Sequence, residues 1–129
     1  MTREMNHIRR GTDKPLLLIH GLGGSWRSWN PILNDLAAQR DVIAIDLPGF
    51  GDTPPLLGEV SIRTLADAVT EFLTAQDLIG IDAVGDGAIL SASLVRRNVL
   101  WSYFPMQSYT GLKIVVIFRN GMFLKRRYA

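Results

Sequence analysis

The chain has no cysteine. That excludes a disulfide framework and any thiolate site, and it fits a reducing compartment. Histidine is nearly as scarce, with His7 and His20 the only two. No acidic residue follows Asp86. Long hydrophobic runs are missing as well, and none approaches the ~18 apolar residues that would cross a bilayer. Residues 99–118 come nearest, but Pro105, Gln107 and Lys113 interrupt them. The stretch from Met1 to Arg10 is polar and basic, without the apolar centre of a secretory leader, so a cytoplasmic protein is expected. No pattern calls for a cofactor or a metal, and none is expected.

What is present suits one domain. The 129 residues are 47% apolar and 20% charged, an ordinary globular composition. The net charge of +2 conceals an asymmetry. Residues 1–86 hold all twelve acids against seven bases, a net −5, while residues 87–129 hold seven bases and no acid, a net +7. A basic tail suggests nucleic acid or anionic membrane as a partner. Here the bases are interleaved with Trp101, Tyr103, Phe104, Val115, Val116, Ile117 and Phe118, so neither partner is favoured. The other reading is a tail of separate origin. The expected division is an N-terminal segment at 1–13, a main portion at 14–97 and a basic, aromatic tail at 98–129.

Residues 16–19 form an apolar run after Pro15 that ends at Gly21, the pattern of a strand buried on both faces in a parallel sheet. Residues 42–45 and 81–84 repeat it, the latter closing at Gly85. Asn30 is read as the N-cap of a helix with Pro31 in its first turn, and Ile32, Leu33, Leu36 and Ala37 recur at helical spacing. Ser61 caps a second helix, along which Ile62, Leu65, Ala66, Val69, Phe72 and Leu73 make one stripe. Residues 46–58 carry three prolines and three glycines and read as loop. Strand alternating with helix predicts an α/β fold. Residues 88–97 are consistent with a third helix, and Asn120-Gly121 between apolar runs predicts a hairpin.

Two motifs carry more. His20-Gly21-Leu22-Gly23-Gly24, with Trp29 soon after, and Asp46-Leu47-Pro48-Gly49-Phe50-Gly51-Asp52-Thr53 together resemble the α/β-hydrolase superfamily over residues 14–85. The resemblance implies part of that fold: a partial parallel sheet with flanking helices. It also implies an oxyanion site at Leu22, whose N–H would face the anionic oxygen of a tetrahedral intermediate, with Gly21 and Gly23 letting the backbone come close. A well-aimed donor of this kind is worth about 3 kcal/mol of barrier. By the same resemblance His20 packs behind the turn as a structural residue. Asp46 is read as a strand-end residue holding the turn after it, and Trp29 as core.

The catalytic residues that the family implies are not found. The nucleophile belongs in G-x-S-x-G just after the third strand, where this chain has Gly85-Asp86-Gly87-Ala88-Ile89. Gly87 stands at the serine position. Ser91 and Ser93 lie downstream and are not placed for that turn. Epoxide hydrolases and haloalkane dehalogenases of the same superfamily use an aspartate there, which makes Asp86 the one candidate; a helix-capping role is its alternative. In the family the acid and the histidine follow the nucleophile, and nothing after Asp86 is Asp, Glu or His. Losing a triad's nucleophile or histidine costs on the order of 10⁶ in turnover, about 8 kcal/mol.

Three functions follow. The first is the N-terminal portion of an α/β-hydrolase-like protein of the ester-type lineage, without catalytic competence in this chain and joined by a frame slip or fusion to its tail. The second is a hydrolase with Asp86 as nucleophile and a histidine supplied by a partner chain. The third is a binding module using the basic tail. A small-molecule pocket would need completing by another chain. Three strands alone would leave an open sheet edge, so marginal stability is expected unless the tail or a second chain covers it.

Overall fold

The computed structural model describes residues 4–85, 100–107, 113–119 and 122–128. The expected helix at 88–97 and the candidate Asp86 lie outside these. Three apolar runs form the centre of one sheet: β2 (Pro15–Ile19), β3 (Asp41–Ile45) and β4 (Ile81–Gly85). They are parallel, with β2 in the middle, Ile19 level with Ile45 on one side and with Gly85 on the other.

Two-sided burial explains why these runs do not alternate in polarity. Leu17, Ile19, Ile43, Ile45 and Ala83 meet Leu65, Ala66, Val69, Phe72 and Leu73 of α2 (Ile62–Ala75). Leu16, Leu18, Val42, Ala44 and Val84 meet Trp29, Leu33 and Leu36 on the opposite face, where α1 (Asn30–Ala37) packs. Each fully buried Leu or Ile contributes roughly 1.5–3 kcal/mol.

Helix α2 begins at the expected cap. Ser61 Oγ accepts the Thr64 N–H at 3.1 Å, and Thr64 Oγ1 accepts the Ser61 N–H at 2.8 Å. Helix α1 departs from expectation. Asn30 is its first helical residue rather than its cap, because a 3₁₀ turn, Trp26–Trp29, runs directly into it. The side-chain cap therefore sits one turn earlier, at Ser25, whose Oγ accepts the Arg27 N–H at 3.2 Å.

The sheet extends on both sides of the parallel core. Strand β1 (His7–Arg10) lies antiparallel on β3, with His7 opposite Ile45. Strand β5 (Leu100–Gln107) runs parallel to β4 and covers its free edge. Strands β6 (Lys113–Arg119) and β7 (Met122–Tyr128) continue antiparallel. Arg119 pairs with Met122 across Asn120-Gly121, as the hairpin signal predicts. The result is a mixed seven-stranded sheet in the order β1-β3-β2-β4-β5-β6-β7. Among the described residues, no helix is long and apolar enough to cross a membrane.

At the N-terminal ends of the parallel strands, Arg40 ties three elements together. It donates to the Lys14 and Pro15 carbonyls at 2.9 Å each and to Asp82 Oδ2 at 2.8 Å. That end is closed by structural bonds, while the opposite end carries the two glycine-rich loops.

Candidate functional site

Because Ile19 and Ile45 are paired, the loops after β2 and β3 leave the sheet side by side. His20 lies between them, 1% exposed. Its Nε2 accepts the Leu47 N–H at 2.9 Å. The ring proton is therefore on Nδ1, which donates to the Gly21 carbonyl at 2.7 Å. Phe50 meets the imidazole edge-on at 5.5 Å between centroids. Both ring nitrogens are committed to holding one loop against the other.

The family resemblance implies Leu22 as oxyanion donor, with Gly21 and Gly23 allowing close approach, and the three lie in one tight turn. The Gly24 N–H returns to the Gly21 carbonyl at 3.1 Å, and Gly23 holds φ +81° at the third position. That is a type II turn, whose third residue is strained for any side chain. Leu22 is 80% exposed at the tip. Among the described residues, neither the Leu22 nor the Gly23 N–H has a hydrogen-bond partner. Since Ile19 is also level with Gly85, the turn lies beside the end of β4, after which Asp86 follows.

Asp46 fastens the second loop and is fully buried. Its Oδ1 accepts the Trp26 N–H at 2.7 Å. Its Oδ2 accepts the Asp52 N–H at 3.0 Å and the Asn6 side-chain amide at 2.9 Å. Burial works to raise its carboxyl pKa, but the bonds from Asp52, Trp26 and Asn6 outweigh it and the net shift is downward. Thr53 completes the cluster, donating from Oγ1 to the Asp46 carbonyl at 2.8 Å and accepting the Asn6 N–H at 2.9 Å. The sequence reading assigned no role to Asn6, Trp26 or Thr53. Two of the donors on the carboxylate are backbone groups, which no residue pattern reveals.

His7, the second histidine, sits in the edge strand. Its Nδ1 donates to the Met5 carbonyl at 2.9 Å, and its ring stands edge-on to Phe72 at 5.0 Å. His7, Ile45, Ile19 and Gly85 form one row across four strands. Three strand spacings separate its ends, roughly 14 Å, far beyond hydrogen-bond reach of anything at the end of β4. A groove of about 650 Å³ opens beside His7, lined also by Glu4, Asn6, Pro54, Phe72 and Gln76. Asp52 also lines it, and none of residues 21–24 does. Among the described residues, no group of three His, Asp or Glu stands together as metal ligands.

A family model for the alpha/beta hydrolase fold matches residues 14–85. The soluble epoxide hydrolase of Corynebacterium sp. (strain C12) is 37% identical over 81 residues, covering 63% of this chain and 27% of that one. The pimeloyl-[acyl-carrier protein] methyl ester esterase of Aeromonas hydrophila subsp. hydrophila is 41% identical over 70 residues, covering 53% and 27%. Among solved structures, the epoxide hydrolase CorEH without ligand superposes with a TM-score of 0.67 at 29% identity, over 74% of this chain and 35% of that one. A marine microorganism esterase superposes with a TM-score of 0.68 at 25% identity, over 76% and 39%. The chain spans about a quarter of the length of both curated relatives.

Proposed function

The chain belongs to the α/β-hydrolase fold family, and on that premise we propose that it is the oxyanion-bearing N-terminal portion of an ester-type hydrolase scaffold, without turnover of its own. The Leu22 N–H would take the oxyanion, with the Gly21 and Gly23 backbone close to the substrate. The exposed tip leaves the turn open, so a small-molecule pocket would be completed by another chain.

One observation carries the lack of turnover. His20 is spent at both nitrogens, and His7 is three strand spacings from Gly85, so neither serves as base to a nucleophile at the end of β4. Without a base, a hydroxyl stays neutral and an ester formed on a carboxylate is not hydrolysed. The donor turn alone cannot offset a loss of about 8 kcal/mol. The Asp86 reading needs an outside histidine, and the tail-binding reading has no support in the family match.

Assays of the purified chain with an aryl ester and an aryl epoxide test this. Rates no higher than buffer are expected with both. Turnover that Asp86→Asn abolishes would replace the proposal with the aspartate-nucleophile reading.

A further inference from the structure

We infer that Asp46 is a positioning residue for the donor turn, its carboxylate setting the aim of the Leu22 N–H through the backbone N–H of Trp26. This rests on the reading of Leu22 as an oxyanion donor.

The turn is suspended between two anchors. Before it, His20 Nε2 holds the Leu47 N–H; after it, the Trp26 N–H is held by Asp46 Oδ1. The anchors fall on adjacent residues, Asp46 and Leu47, so both ends of the turn hang from one dipeptide. That dipeptide is itself fixed, since the Asp46 N–H donates to the Asn6 carbonyl at 2.8 Å. Any movement of Asp46 is passed to Trp26, and from there to the short run of backbone that carries Leu22.

The chemistry of position 46 requires an anion. Three donors converge on its two oxygens: the Trp26 N–H, the Asp52 N–H and the Asn6 amide. Asparagine would bring one oxygen and one N–H₂, so at least one donor would face another donor. Among the described residues, no lysine or arginine pairs with Asp46. A buried carboxylate held by hydrogen-bond donors, with no lysine or arginine paired to it, is an expensive way to close a loop. The cost is intelligible if the geometry it enforces matters elsewhere. A donor to a developing oxyanion must sit within a few tenths of an ångström of its place, and a 1 Å error costs about 10²-fold in rate.

Amide NMR with hydrogen exchange on the full chain tests the inference, comparing the parent with Asp46→Asn and with the reversed pair Asp46→Asn/Asn6→Asp. In the single variant, exchange at Trp26 is expected to quicken about tenfold or more, and the Leu22 and Gly23 amide signals to move. In the double variant the amide placed at position 46 can donate to the carboxylate placed at position 6 and turn its oxygen to Trp26, so those signals are expected to return toward their parent positions. A single variant that disturbs Asp52 and Thr53 but leaves Trp26, Leu22 and Gly23 unchanged overturns the inference, as does a double variant with no recovery. Should Asp46→Asn fail to fold, the parent decides. As pH falls below about 4 to the acid limit of the fold, the Leu22 and Gly23 signals must change together with the Trp26 amide, and failure to change with it sinks the inference. These signals report the turn whether or not the chain hydrolyses anything. Turnover in the assays above would therefore remove the proposed lack of activity and leave the role of Asp46 standing.

Discussion

The Nε2 atom of His20 accepts the backbone N–H of Leu47 at 2.9 Å, across the gap between two loops that the sheet brings together. The residue that stands out most in the first motif is thus used to hold the second. Its other nitrogen, Nδ1, is held by the Gly21 carbonyl.

His20→Ala is expected to destabilise the chain by about 2–4 kcal/mol, from a cavity and from an unpaired Leu47 N–H and Gly21 carbonyl. His20→Asn should cost less, about 1–2 kcal/mol, because its amide can still donate to Gly21 while leaving Leu47 unpaired. Urea unfolding of the three proteins measures the order. Equal loss in both variants would mean that ring packing, not the two bonds, is what His20 supplies.

Two glycines with positive φ should respond differently to alanine. A Cβ on Gly51, at φ +52°, would collide with the Asp46 carboxylate, whereas a Cβ on Gly23, at φ +81°, meets nothing within 4 Å. Gly23→Ala should cost only the backbone strain, about 1–2 kcal/mol. Gly51→Ala adds displacement of a buried carboxylate that cannot yield without breaking its own bonds, and about 3 kcal/mol or more is expected. Midpoints of thermal unfolding compare the two, and similar shifts would show that the Asp46 cluster relaxes freely.

The central sheet was legible because burial on both faces leaves a continuous apolar run, and β2, β3 and β4 are such runs. Helix α2 was legible from its stripe and from Ser61. Strand β1 was not, because it lies at the edge and presents only Ile8 as an apolar residue among His7, Arg9 and Arg10. The reading of Asn30 as a cap failed because the preceding 3₁₀ turn already supplies the helical geometry, which moves the cap to Ser25. Strand β5 was not read from the sequence; Pro105 lies within it and pairs with Val115. At the site, the two loops were visible as motifs. Structural roles for His20 and Asp46 were read there too, but not the partners of Asp46, since Asn6 reaches it only beside the β1–β3 pairing.

Arg40 gives a prediction at the other end of the sheet. Its guanidinium bridges two carbonyls and Asp82, with the Arg40 and Asp82 side chains partly buried. Arg40→Ala should cost about 2 kcal/mol, since two carbonyls and a carboxylate lose a partner together. Asp82→Asn should cost less than about 1 kcal/mol, because both carbonyl bonds survive and an amide oxygen can still accept. Arg40→Lys should fall near the alanine variant, as a single ammonium cannot span three acceptors. Denaturant midpoints rank the three. A lysine variant as stable as the parent would show that charge alone, not the fork of donors, is required.

Acid should act on the same loops through Asp46. Burial tends to raise its carboxyl pKa, but the N–H groups of Asp52 and Trp26 and the Asn6 amide lower it further than burial raises it. A carboxyl whose pKa is lower in the folded state stabilises that state above the unfolded value, about 3.9, and loses the contribution as pH falls through the folded value. Other carboxylates titrate in the same range, so the informative quantity is the stability gap between the parent and Asp46→Asn. That gap should be constant from about pH 7 to 5 and narrow steadily below about pH 4, because protonating Asp46 leaves it no better an acceptor than the amide. Urea midpoints of both proteins across that range measure it. A gap that stays constant to about pH 3 would mean that Asp46 titrates alike in the folded and unfolded chains, and that its three donors do not hold it as an anion.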